Sequence, residues 1–249
     1  MADLSDALRL IDSQRLSVPD FSCHPVMKST PLAVFAGGLR PLPPEGQETG
    51  MFKTPVAGPV AVGPEGLDGD RQADRRVHGG PEKAVHYFPV EHYAHLAARV
   101  PALAAALVPG VLGENLSARG LTEDTVCLGD VFAAGSCRLQ VSQPRNPCWK
   151  INHRLDHAGL SRIIADDGCT GWYFRVLTPG VLAPGEALQL VARPAPGMSL
   201  ARLAAAKGAH RPAPDELLAL AAAPGLAPEV ARRLRERAAW LENSGVPPC

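Results

Sequence analysis

The sequence predicts a mainly β (α+β) fold, a closed or nearly closed β-barrel followed by a small C-terminal appendage of three helices. Three observations carry this. From Leu32 onward, short apolar segments are punctuated by Gly and Pro, as in LAVFAGG and PVAGPVAVGPEGLDGD. Val126 to Val141, VCLGDVFAAGSCRLQV, alternates on both sides of AAGS and reads as a hairpin. Beyond Pro194 and Pro196 the texture changes to Ala, Leu and Arg at helical spacing.

Taken in order, residues 1–31 read as an extension, with an amphipathic stretch around Leu4 to Leu16 and then Pro19, Pro25 and Pro31 among few apolar residues. The barrel is expected over 32–193. Within it, a helix runs from about Val90 to Arg99, where Tyr93, Leu96 and Ala97 share a face and Pro101 ends it. The hairpin leads into a charged, helical connector from Leu155 to Ala165, a Gly-rich turn at DDGCTG, the strand WYFRVLTPG and a closing strand in GEALQLVARP. Residues 194–249 should form three short helices, broken by Pro212, Pro214, Pro224, Gly225 and Pro228. In the last, Val230, Leu234, Ala238 and Leu241 make one stripe. Arg232, Arg233, Arg235 and Arg237 fall largely elsewhere, a pattern more often a solvated face than an anion site.

Composition bounds the function. The chain has 249 residues, 46% of them hydrophobic, enough for a sizeable core. Lys plus Arg equals Asp plus Glu at 25 each, so no overall field favours nucleic acid or an anionic membrane, and any anion binding must be local. A net charge near zero is compatible with a homodimer. The longest nearly apolar run, Val100 to Val108, is about half a membrane span and is interrupted by Pro101. The N-terminus places acids where a signal peptide needs a basic region. A cytoplasmic protein with no membrane partner is expected. Cys23, Cys127, Cys137, Cys148, Cys169 and Cys249 contain no CxxC pair, so each is either a small buried hydrophobe or a reactive thiol. Cys127 and Cys137 could face each other across the hairpin, although a cytosolic setting disfavours a disulfide.

Two constellations bear chemistry. QPRNPCWKINHR places Cys148 between Pro147 and Trp149, with Arg145 and Lys150 close by; cations favour the nucleophilic, metal-binding thiolate, and the prolines stiffen the loop. On these residues alone Cys148 is left between a structural thiol and a functional one. GDRQADRRVHGGPEKAVHYFP gathers Arg71, Arg75, Arg76, His78, Lys83 and His86 around paired glycines, suited to an oxyanion or to a solvated turn. In GENLSARGL, Asn115 offers an amide edge and Glu114 a partner for the basic loop, or both cap a turn. No zincin motif, GxSxG elbow or partnered carboxylate pair is present.

These stretches in this order, with GWYFRVLTPG after them, resemble the MOSC domain family, named for the C-terminal domain of molybdenum cofactor sulfurases, and within it the branch associated with hydroxylaminopurine resistance. The resemblance covers roughly 32–193, and the helical appendage matches that branch; the extension of about 31 residues is a departure from it. It implies a MOSC-type β-barrel binding the molybdenum cofactor (Mo-molybdopterin), with Cys148 as a metal ligand. Arg71, Arg76, His78, Lys83 and Asn115 are then the candidates for the cofactor's phosphate and pterin. Arg145 would balance charge and Trp149 would wall the pocket, with Arg75 and His86 as second choices. The implied reaction reduces N-hydroxylated compounds, including hydroxylaminopurine-type bases, to amines, with His153 or His78 supplying a proton. With no flavin motif and no iron–sulfur spacing, an external flavin- or ferredoxin-type electron donor is implied, docking on the helices. A sulfur carrier with a persulfide on Cys148 suits the same thiol, and a non-catalytic assembly module is a third class.

Overall fold

The computed structural model describes residues 27–44, 46–75 and 77–244. Most of the expected N-terminal extension, Cys23, Arg76 and Cys249 lie outside these residues. The strands are β1 (Ala33–Ala36), β2 (Arg40–Leu42), β3 (Gln47–Thr49), β4 (Thr54–Pro55), β5 (Val60–Gly63), β6 (Gly66–Leu67), β7 (Val85–Tyr87), β8 (Leu116–Ser117), β9 (Val131–Ala134), β10 (Cys137–Pro144), β11 (Trp172–Thr178), β12 (Gly180–Leu182) and β13 (Gln189–Ala192). The helices are α1 (Val90–Arg99), α2 (Lys150–Arg154), α3 (Leu160–Asp166), α4 (Leu200–Gly208), α5 (Pro214–Ala221) and α6 (Pro228–Asn243).

An eight-stranded sheet in the order β13-β9-β10-β11-β7-β8-β1-β4 organises the molecule, antiparallel except where β7 and β8 run parallel at Tyr87 and Leu116. It is an α+β fold, and the sheet is not closed by a strand ladder. The curl is completed by irregular backbone: Ser29 donates to the Leu188 carbonyl, Leu32 to Glu186 and Leu190 to Met27, lacing the segment ahead of β1 to the approach and start of β13. Antiparallel alternation buries Trp172 and Phe174 of β11 against Tyr87, which stacks on Trp172 with ring centroids 4.5 Å apart.

The hairpin is present as β9 and β10, but its first strand starts at Val131 because Cys127–Asp130 turns, with the Cys127 N–H donating to Asp130 at 2.9 Å. Cys137 pairs with Ala134 and Cys127 bridges Ser199, so the two thiols do not face each other. The connector expected as a helix from Leu155 to Ala165 is helical only from Leu160, in α3, because Asp156 (φ 47°) and Gly159 (φ 86°) adopt left-handed backbone ahead of it; a separate short helix, α2, ends at Arg154. The last helix, α6, is 16 residues long.

Two apolar clusters matter for the site. One joins the sheet to the C-terminal helices, combining Leu128, Leu139 and Phe174 with Leu200, Leu217 and Leu234. Backbone bonds cross as well, from Leu200 to the Val126 carbonyl at 2.9 Å and from Ala227 to Ser142 at 2.8 Å. The other places Phe88, Leu96, Leu112, Ile151 and Ile164 beneath α1, α2 and α3, and so supports the loop that carries Cys148. Among the described residues no helix is long and apolar enough to cross a membrane.

Candidate functional site

A cleft with about 650 Å³ of open space brings the two sequence constellations together. Arg71, His78, Lys83 and His86 line it, as do Asn115, Arg145, Cys148 and Lys150. The Cys148 loop is aimed by β10: the register against β11 slips between Val141 and Gln143, a bulge that turns the strand just before Arg145. The Arg145 N–H then donates to the Gly171 carbonyl at 3.0 Å, and the Cys148 carbonyl accepts from Ile151 at 3.0 Å as the chain enters α2. Buried Ile151 anchors that turn and leaves Cys148 half-buried at the cleft.

The facing wall is the basic loop. Gly79 (φ 136°) and Gly80 (φ 78°) supply the left-handed backbone that turns it. Below it, the segment at Gly50 presses so close that a Cβ there would lie 1.9 Å from the Arg71 carbonyl oxygen, a contact only glycine permits.

Positive charge with few counter-charges dominates the cleft. Arg145 is buried, its Nη2 donating to the Leu112 carbonyl at 2.9 Å while its Nη1 has no hydrogen-bond partner. Among the described residues it has no carboxylate at ion-pair distance. Burial, then the Arg145 and Lys53 charges, hold His86 well below the usual imidazole range, and its buried Nε2 is unpartnered. Burial, Arg145, Lys83 and Lys150 likewise lower His78. Burial followed by the Arg233 charge lowers Lys83. Asp74 also lines the cleft and acts on His78 against these effects, while the acids behind the wall are committed: Asp70 binds Lys53 at 2.6 Å, and Glu114 accepts from Tyr93 and the Gly110 N–H.

Several expected roles are corrected by this geometry. Glu114 pairs with Tyr93 and not with the basic loop. Asn115 lines the cleft, but its amide is engaged by the fold, accepting from the His86 N–H at 3.0 Å and donating to the Phe35 carbonyl at 3.2 Å. Trp149 is exposed and meets His153 edge-on at 4.9 Å; neither is among the cleft-lining residues, because α2 turns them outward. Arg75 pairs with Glu65 at the surface. His78, lowered by burial and by the surrounding cations, favours the neutral imidazole and so is a poor source of an imidazolium proton. Reasoning from sequence missed Lys53, Leu112 and Tyr173. Alternation in WYFRVLTPG places Tyr173 opposite Trp172 and Phe174, which was signal enough; Lys53 in FKTP had none.

Residues 74–189 match the family described as MOSC domain. Over 163 residues the chain is 39% identical to the protein YiiM of Escherichia coli, covering 66% of this chain and 72% of that one. The chain belongs to the MOSC domain family. The crystal structure of YiiM from Escherichia coli superposes on this MOSC protein with a TM-score of 0.71 at 30% identity, covering 88% of this chain and 95% of that one. A protein of Gibberella moniliformis named reductase is 34% identical over 151 residues, 60% of this chain but 27% of the longer relative. The matched family span holds His78, Arg145 and Cys148, while Lys53 and Arg71 lie ahead of it.

A second cleft adjoins the first through His78, Lys83 and Tyr173 and is roofed by α6, with Arg233, Arg237 and Lys207 on its wall. The arginines of α6 are therefore not one solvated face. Arg237 donates to the Lys207 carbonyl at 2.8 Å at the end of α4, and Arg235 to the Ala221 carbonyl at 3.0 Å.

Proposed function

We propose that this MOSC protein binds the molybdenum cofactor in the Cys148 cleft and reduces N-hydroxylated compounds, such as hydroxylaminopurine-type bases, to amines. The observation that carries the reading is a half-buried thiol sharing a cation-rich cleft with a buried guanidinium that has a partnerless nitrogen. The donor set fits the cofactor. No three His, Cys, Asp or Glu side chains among the described residues converge to hold a bare ion, so a metal here would need to bring most of its own ligands, as a dithiolene-bound metal does. The cofactor, when bound, would supply two-electron oxygen-atom exchange.

This chain's own residues would do the rest. Cys148 offers one thiolate to the metal, while Arg145, Lys150 and Arg71 offset anionic charge. Lys83 and His78 face the same space, and an anion beside His78 would raise its affinity for a proton, making it an acid only once the cleft is filled. Electrons would come from a separate flavin- or ferredoxin-type protein docking on the C-terminal helices. The fungal relative's name supports a reductive activity, although this chain matches only 27% of that protein.

The test uses the full chain from a cofactor-competent host, given a chemical reductant and an N-hydroxylated purine. Amine should form with wild type and not with a folded Cys148→Ser variant. Equal activity in both, or none in molybdenum-loaded wild type, overturns the reading. A persulfide on Cys148 without molybdenum would assign the site to sulfur transfer.

A further inference from the structure

The cleft roofed by α6 holds about 910 Å³ of open space and meets the Cys148 cleft, since His78, Lys83 and Tyr173 line both. Four cations, Lys83, Lys207, Arg233 and Arg237, line it against one acid, Glu229. That acid is shared, accepting from Arg233 at 2.8 Å and from Arg232, outside the cleft, at 2.6 Å. Arg237 is engaged by carbonyls at the end of α4, among them that of Lys207 at 2.8 Å. The two lysines are less committed. Lys83 donates to the Val77 carbonyl and Lys207 to the Asn146 side chain at 3.4 Å, and among the described residues neither has a carboxylate at ion-pair distance.

Three separate elements bring these charges together: Lys207 ends α4, Arg233 lies on α6, and Lys83 precedes β7. Cations gathered in a concave space with so little compensation favour a ligand of more than one negative charge. A phosphomonoester fits, with a charge of about −1.5 to −2 at pH 7 and three acceptor oxygens for ammonium and guanidinium donors. The rest of the lining suits the sugar of a nucleotide. Gln143 and Asn146 offer amide groups to hydroxyls, while Pro144, Val230 and Leu234 give an apolar floor. A free base in the Cys148 cleft would leave these cations uncompensated.

We propose that the α6 cleft is a phosphate subsite, so that the substrate is an N-hydroxylated purine nucleotide with its base in the Cys148 cleft and its 5′-phosphate between Lys83, Lys207 and Arg233. The inference rests on the proposed reduction and names its substrate class. Holding the phosphate in one cleft fixes the reach of the base into the other, which restricts the ways the base approaches the thiol.

The test measures binding of 6-hydroxylaminopurine riboside and of its 5′-monophosphate to the full chain from a cofactor-competent host, by isothermal titration calorimetry without reductant. The monophosphate should bind at least about tenfold more tightly at low salt. Lys207→Ala should abolish most of that preference and Lys207→Arg should keep it, with the molybdenum content of both as in wild type. Circular dichroism establishes that the variants are folded; if Lys207→Ala does not fold, Arg233→Gln takes its place. Equal affinities for the two compounds in wild type, or a preference that the substitution leaves untouched, would overturn the proposal. A fall in molybdenum in Lys207→Ala would also overturn it, by assigning these cations to the cofactor's own phosphate. Adding reductant scores the reaction separately. A nucleotide preference in protein that forms no amine supports the subsite and counts against the reduction, whereas amine formed from both compounds at equal affinity overturns the subsite alone.

Discussion

Asp70 shows how single residues hold the cleft in shape. Its carboxylate accepts from Lys53 at 2.6 Å, from the Gly37 N–H at 3.1 Å and from Gln72 at 3.2 Å, and both members of the ion pair are buried. Removing one partner of a buried pair leaves the other charge without compensation. Asp70→Ala should therefore cost roughly 3–5 kcal/mol, read as a lowered urea midpoint with an unchanged slope. Cys148 and the basic loop were legible from their neighbours in the chain, because prolines, glycines and cations cluster within a few positions. Asp70 and Lys53 were not, since a partner 17 residues away leaves no local pattern. Asn115 was legible as a site residue but not in its use, for only the assembled sheet shows its amide bridging β7 to β1.

At the scale of elements, α1 is tied to the sheet through His92 and Glu123. The sign of its pH dependence follows from the direction of the shift. Against the opposing effect of burial, Cys169 and Glu123 raise His92 to about 9 in the fold, so these neighbours contribute fully below the unfolded imidazole value of 6.5. That contribution declines above 6.5 and is lost as pH rises through about 9. Wild type should lose on the order of 2–3 kcal/mol relative to His92→Gln between pH 6.5 and 9.5. Urea titrations of both proteins check this, and parallel pH curves would count against it. The extent of α1 was readable because its stripe is regular and Pro101 stops it. The break between α2 and α3 was not, because it rests on left-handed backbone at Asp156, a residue type compatible with a continuing helix.

For the whole molecule, the change of texture at Pro194 marks where strands give way to helices, yet one apolar cluster runs through both parts. A chain ending at Arg193 would bare the sheet face now covered by Leu200, Leu217 and Leu234, and should aggregate or unfold without a cooperative transition. A soluble, cooperatively folded truncation would show that the barrel stands alone. The strand-rich part was legible as many short strands, expected as a closed or nearly closed barrel, whereas the lacing of its open sheet was not, since hydrogen bonds from irregular backbone around Ser29 and Leu32 carry no sequence pattern. In the proposed function Cys148 is a molybdenum ligand. Molybdenum X-ray absorption on the full chain from a cofactor-competent host tests it most directly. The metal in wild type should show one sulfur neighbour more than the metal retained by Cys148→Ser; identical sulfur shells in the two proteins would contradict it.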